Sequence, residues 1–168
     1  MAQIGVLLRD GYQELEFWYP VLRLREGGAS VTVIGVDGDR TYHSKLGYPV
    51  IPDLPLADAT ERLDAVIVPG AATHGSLDAG TRQFLQRAYA QGSILAATSE
   101  GPRALAEAGL LKGRAVTGSA AIATAVEAAG GKSTGEDVVV DGTVITARSA
   151  DSLPAFFRAL DATLQQKA

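Results

Sequence analysis

The stretch from Ile94 to Arg114, ILAATSEGPRALAEAGLLKGR, constrains this chain more than any other. It opens apolar and β-compatible at Ile94-Leu95, narrows to Ala96, Ala97 and Thr98, and then reads Ser99-Glu100-Gly101-Pro102. Proline is at home in the first turn of a helix, where its missing N–H costs nothing. Helical spacing continues through Leu105 and Ala108, and Gly109 is a stop signal. The pattern predicts a buried strand, a tight turn and a helix, with Ser99 at the turn beside a helix N-terminus, where free N–H groups favour negative charge. A serine so placed is the geometry of a nucleophile elbow, and strained backbone angles at Ser99 are expected with it. The local string, A-T-S-E-G, keeps only the second glycine of G-x-S-x-G.

The rest of the chain repeats the same grammar. Gln3–Leu8 predicts a central strand, Asp10-Gly11 a turn, and Glu14–Arg25 a helix. That helix carries Leu15, Tyr19 and Leu22 on one side, with Phe17, Val21 and Leu24 widening the face. Pro20 lies inside it and should loosen or kink it, because it leaves the Glu16 carbonyl without its donor. Gly27-Gly28 ends the helix, and Ser30–Gly35 predicts the next strand. Strand, helix and strand with short links are the signature of a parallel sheet. Residues 40–52 suggest a strand or hairpin bent at Gly47, and Asp58–Arg62 a short helix. Asp64–Val68 predicts a central strand with Pro69-Gly70 as its exit. Helical spacing runs from Leu77 to Gln91, and a brief strand is expected at Ala115–Thr117. An alanine-rich helix spans Ala120–Ala129, and Val138–Thr146 forms a hairpin around Asp141-Gly142. Asp151-Ser152 caps a last helix with Pro154 in its first turn and Phe157, Leu160 and Leu164 inside. The expected fold is α/β: one domain over residues 1–168, with a doubly wound, mostly parallel sheet between helices. Ligands in such sheets sit beyond the carboxyl ends of the strands. The elbow, the Pro69-Gly70 loop and the Asp10–Glu16 turn all belong at that end.

Composition narrows the function. At 168 residues and 46% hydrophobic, the chain can bury one real core. A net charge of −4 recommends neither nucleic acid nor an anionic membrane as partner. The N-terminal apolar run is too short for a signal peptide or membrane helix, so a cytoplasmic location is expected. There is no cysteine, which excludes disulfides, thiolate metal sites and a thiol nucleophile. Two histidines, His43 and His74, without companion ligands give no metal site. No phosphate loop or dinucleotide fingerprint is present, and no cofactor is implied.

The elbow resembles that of the ThiJ/PfpI superfamily, which shares the class I glutamine amidotransferase-like, flavodoxin-like fold. The resemblance rests on Gly101-Pro102 followed by LAEAGLLKGR at Leu105–Arg114, DGYQELEFWYP at Asp10–Pro20, DAVIVPG at Asp64–Gly70, and DVVVDGTVITARSADSLPAF at Asp137–Phe156. It covers almost the whole chain in order. It implies that Ser99 stands where the family has its reactive cysteine and Glu100 where the family often has histidine. It further implies that Glu16 is the glutamate that hydrogen-bonds the reactive residue, and that the protein is a homodimer or larger homo-oligomer. Three consecutive aromatics, Phe17, Trp18 and Tyr19, support the last point. At about 100° per residue they cannot all face one sheet, so one is left for a partner.

The candidate catalytic residues are therefore Ser99, Glu16 and Glu100. A serine hydroxyl is inert without a base, so Ser99 is either a nucleophile, a ligand-anchoring hydroxyl or structural. Glu16, placed within reach of Ser99 Oγ, is an acid/base candidate. Glu100 either faces the pocket as a second carboxylate or covers the helix N-terminus. Gly70, Ala71, His74 and Gly101 are candidate substrate-binding positions. Ala71 replaces the second glycine of the family's P-G-G, yet its backbone N–H still suits an oxyanion hole. The expected activity is acid/base chemistry of hydrolase, hydratase, lyase or isomerase type on a small polarised molecule, with carbonyl compounds as the expected substrates. The alternative is a catalytically silent relative that binds a small ligand or serves a stress-related structural role. Thiol-dependent protease, deglycase or glyoxalase activity does not carry over by name.

Overall fold

The computed structural model describes residues 1–72 and 76–167. In chain order they form β1 (Gln3–Leu8), α1 (Glu14–Glu26), β2 (Ser30–Gly35), β3 (Tyr42–His43), β4 (Pro49–Val50), β5 (Leu54–Pro55), β6 (Ala65–Val68), α2 (Ala79–Ala90) and β7 (Ile94–Thr98). There follow α3 (Pro102–Glu107), β8 (Ala115–Val116), α4 (Ala123–Ala128), β9 (Lys132–Ser133), β10 (Val138–Asp141), β11 (Val144–Ala147) and α5 (Leu153–Lys167). The main sheet has seven strands in the order β10-β11-β7-β6-β1-β2-β5. All neighbours are parallel except the β10–β11 hairpin. The chain leaves β1 toward β2 and β5, then returns to the other side of β1 with β6 and β7. The point of reversal lies between β1 and β6, where such sheets open a crevice at their carboxyl edge.

Strand alternation sorts the apolar residues into two layers. Val6, Leu8, Ile67, Ala96 and Ile145 face α1 and α5, against Phe17, Val21, Phe156 and Leu160. Leu7, Val66, Val68, Leu95 and Ala97 point to the opposite face, against Phe84, Leu85, Leu105 and Val126. Both faces of the central strands are covered, which is why they read as continuous apolar runs rather than alternating ones.

Three local expectations need correction. The buried side of α1 is Phe17, Pro20, Val21 and Leu24, whereas Leu15 and Leu22 are 57% and 60% exposed. Pro20 lies inside α1, which continues past it to Glu26. The helical turn expected at Asp58–Arg62 lies earlier, as a 3₁₀ turn over Leu56–Asp58. The β10–β11 turn is centred on Gly142-Thr143, because Asp141 still pairs with Val144, and Gly142 takes φ 61°.

Candidate functional site

Three chain segments meet at the carboxyl edge around the reversal point: the turn after β1, the exit of β6 and the elbow after β7. The first two are laced together by backbone. Gln13 N–H donates to Gly70 O at 3.0 Å, and Ala72 N–H to Gly11 O at 2.8 Å. Gln13 is the N-cap of α1, and its side-chain oxygen accepts from the Glu16 N–H at 2.8 Å. That places Glu16 in the first turn with its carboxyl group swung back over the edge of the sheet.

Glu16 is 3% exposed. Its Oε2 accepts from Gly70 N–H at 2.8 Å and from the Thr98 hydroxyl at 3.0 Å. A charged group so deep in a protein needs such partners, since leaving it bare costs several kcal/mol. The other oxygen, Oε1, accepts from no described residue. Gly70 is where everything touches. A Cβ there would lie 2.5 Å from Glu16 Oε2, 3.2 Å from Ser99 Cβ and 3.4 Å from Glu100 N. Only a residue without a side chain lets these groups converge.

Ser99 has φ 52°, the one positive φ outside glycine among the described residues. For an L-residue this conformation costs about 1–2 kcal/mol. The elbow is held shut by close packing beneath it. A Cβ at Gly101 would lie 2.1 Å from Val68 O, and one at Gly118 would lie 2.6 Å from Ser99 O. Ser99 N–H is fixed to Ala147 O and Ser99 O accepts from Ser119 N–H, both at 2.9 Å.

The predicted residues do not all behave as expected. Ser99 Oγ is not bonded to Glu16. It turns instead to the Arg148 carbonyl at 3.5 Å, the outer limit of a hydrogen bond. Gly101 does not reach the cavity, because its N–H closes the turn onto Thr98 O at 2.7 Å. Glu100 lines the cavity without capping α3, whose N-cap has no side-chain hydrogen bond. Its charge also acts on Arg9 at the end of β1. Burial pushes the Arg9 guanidinium below its ordinary pKa, and the carboxylates of Glu107, Asp78 and Glu100 oppose that. Gly70 and Ala71 are where they were expected. His74 lies outside the described residues.

Glu16, Gly70, Ala71, Ser99 and Glu100 line one cavity of about 160 Å³. Gly11, Gln13, Lys45, Ala72 and Ser119 line it too, and these, with Thr98, were not singled out as site residues from the sequence. The amides of Ala71 and Glu100 donate to no described residue. Since Gly70 N–H is taken by Glu16, these two are backbone donors lining the cavity that have no acceptor among the described residues. They are the kind of pair that receives a carbonyl oxygen as it gains negative charge. The elbow is thus a small, half-open pocket in a doubly wound α/β protein, with an anchored carboxyl group, a hydroxyl and two unspent N–H groups.

Residues 2–162 match the DJ-1/PfpI family, and the chain belongs to it. A deglycase of Thermococcus kodakarensis is 31% identical over 93% of this chain and 95% of its own. General stress protein 18 of Bacillus subtilis is 30% identical over 98% of each chain. Among solved structures, Drosophila melanogaster DJ-1beta superposes with a TM-score of 0.88 at 25% identity, covering 99% of this chain and 95% of its own.

Proposed function

We propose that this protein acts on a small carbonyl compound by acid/base chemistry centred on Glu16, with Ser99 in the place of the family's cysteine. The observation that carries this reading is the pairing of an anchored carboxyl group with two unspent N–H donors around one small cavity. Oxygen Oε2 of Glu16 is spent on holding position, so Oε1 is the atom that exchanges a proton with substrate. The amides of Ala71 and Glu100 receive the carbonyl oxygen as charge builds on it. Ser99 Oγ has no base bonded to it, so its role is to donate a hydrogen bond rather than to attack. A deglycase among the relatives supports an enzymatic use of the family's pocket.

A panel of small aldehydes and ketones, followed by NMR for loss of substrate, tests this. Glu16→Gln should lose roughly 10²-fold or more of turnover, and Ser99→Ala much less. If Ser99→Ala abolishes turnover and a covalent adduct can be trapped on wild-type Ser99, the serine is the nucleophile. If both variants keep full turnover, the chemistry lies elsewhere. A second reading, a ligand-binding relative without turnover, draws on the weak 3.5 Å contact of Ser99 Oγ. Binding without conversion across the panel would favour it.

The same reading has the protein in the cytoplasm as a homodimer joined through the outer face of α1. Phe17 is fully buried, Tyr19 packs on Phe157, and Trp18 packs edge-on against Phe17 and Tyr48. The apolar side chains left over are Leu15, Leu22, Leu46, Tyr48 and Ile51, which are 57–84% exposed. Leucines and the β4 loop, more than the aromatic triplet, therefore offer the surface to a second copy. No described helix is long and apolar enough to cross a membrane.

A further inference from the structure

We infer that Lys45 makes this pocket selective for carbonyl compounds that also carry a carboxylate, with small 2-oxo acids as the chemical class. The inference rests on the proposed reading of the pocket as a carbonyl site and adds the second group that the substrate must bear. Lys45 lines the cavity from the loop between β3 and β4. Its backbone is fixed there, since Lys45 N–H donates to Tyr12 O at 2.9 Å, while Ser44 pairs with Tyr12 in a β-bridge. Its ammonium forms no ion pair with any described residue, although six ion pairs engage other cations. The Glu14 carboxylate, which accepts from the Leu46 N–H at 2.8 Å, is the counter-charge nearest to hand; its hydrogen bond with Ser44, helped by the Lys45 charge, holds it below its ordinary pKa without a direct ion pair.

The cavity also holds two carboxyl groups, and both have partners away from Lys45. Glu16 is tied by Oε2 to Gly70 and Thr98, and Glu100 is one of three carboxylates whose charge acts on the half-buried Arg9. Ser119 also lines the cavity, and its Oγ is shut off from solvent without a partner among the described residues. Buried hydroxyls are normally satisfied, so this one is a spare donor just beneath the cavity surface. The size is right for a short ligand. A cavity of about 150 Å³ holds a benzene ring, so about 160 Å³ suits roughly six non-hydrogen atoms. A three-carbon 2-oxo acid fits, with its ketone oxygen at the Ala71 and Glu100 amides and its carboxylate toward Lys45.

Pyruvate and its uncharged isostere pyruvamide test the assignment, because they have the same number of non-hydrogen atoms. Titration of each into the full-length protein, followed by amide NMR, gives both affinity and location. Pyruvate should bind about tenfold tighter than pyruvamide and shift the Ala71, Ser99 and Ser119 signals. Lys45→Met should remove that preference and leave pyruvamide unaffected, while Lys45→Arg should keep it. Added salt should weaken pyruvate binding alone. If pyruvamide binds at these signals as well as pyruvate does, the carboxylate assignment falls and the carbonyl pocket stands. If neither compound shifts them, both fall. If Lys45→Met retains the preference, some other group reads the charge.

Discussion

Replacing Thr98 by valine tests whether Glu16 is held as the structure has it. Valine keeps the shape of threonine and removes only the hydroxyl. Thr98 is fully buried, so no water takes its place. The lost interaction is a 3.0 Å hydrogen bond onto a carboxyl oxygen that is itself buried. Hydrogen bonds to charged groups contribute about 1.5–3 kcal/mol, and the added methyl returns up to about 0.8 kcal/mol through burial. A net loss of about 1–2 kcal/mol is expected, or roughly 2–8 °C in Tm for a domain of this size. Urea unfolding of the wild type, Thr98→Val, Glu16→Gln and the double variant forms a closed cycle. The coupling between the two sites should be about 1 kcal/mol. Additive losses within about 0.3 kcal/mol would refute the contact, and with it the argument that Oε2 is spent and Oε1 is free.

Ser99→Gly should raise stability by about 0.5–1 kcal/mol in the same unfolding assay, because glycine accepts φ 52° without strain. Gly101→Ala, whose Cβ would sit 2.1 Å from Val68 O, should lose at least about 3 kcal/mol or fail to accumulate as soluble protein. Leu22→Glu should convert a dimer to monomer in light scattering if α1 is the shared face, and an unchanged mass would move the interface elsewhere. The Arg40 guanidinium holds the Asp10 carboxyl below its ordinary pKa. Its contribution is therefore present above about pH 4 and is lost as pH falls through the lower folded value. Asp10→Asn should flatten acid unfolding in that range, by no more than a few tenths of about 1 kcal/mol for so exposed a pair.

The order of strands and helices was legible because both sheet faces are covered. Continuous apolar runs such as Ala65–Val68 and Ile94–Leu95 need burial on two sides, and the helices between them carry a distinct period. The face of α1 was not legible in the same way. Leu15, Tyr19 and Leu22 make as good a helical stripe as Phe17, Val21 and Leu24. Which one enters the core depends on the anchoring of the helix start, where Gln13 and Glu16 bind Gly70 and set the rotation. Pro20 stands in the second turn of α1, where the helix loses the single donor to the Glu16 carbonyl while Phe17, Pro20 and Val21 stay buried.

At the site, the residue types could be read but not their pairing. Glu16, Gly70, Ala71 and Ser99 were each visible from motif and position. The bond that organises them was not, because it joins Glu16 to Thr98 rather than to its neighbour Ser99. Alternation explains the difference. Successive residues of a strand point to opposite faces, so Thr98 and Ser99 cannot both turn toward α1. Thr98, the last residue of β7, keeps the strand's geometry and reaches Glu16. Ser99 begins the turn in a left-handed conformation that carries its Oγ toward Arg148. The same conformation leaves the Glu100 amide unspent. A strained Ser99 and a free N–H beside it are therefore one feature of the elbow, and relaxing the first by Ser99→Gly should leave the second in place. Carbonyl binding should then survive in Ser99→Gly, with turnover reduced no more than in Ser99→Ala, and loss of binding would show that the hydroxyl, not the amide, holds the ligand.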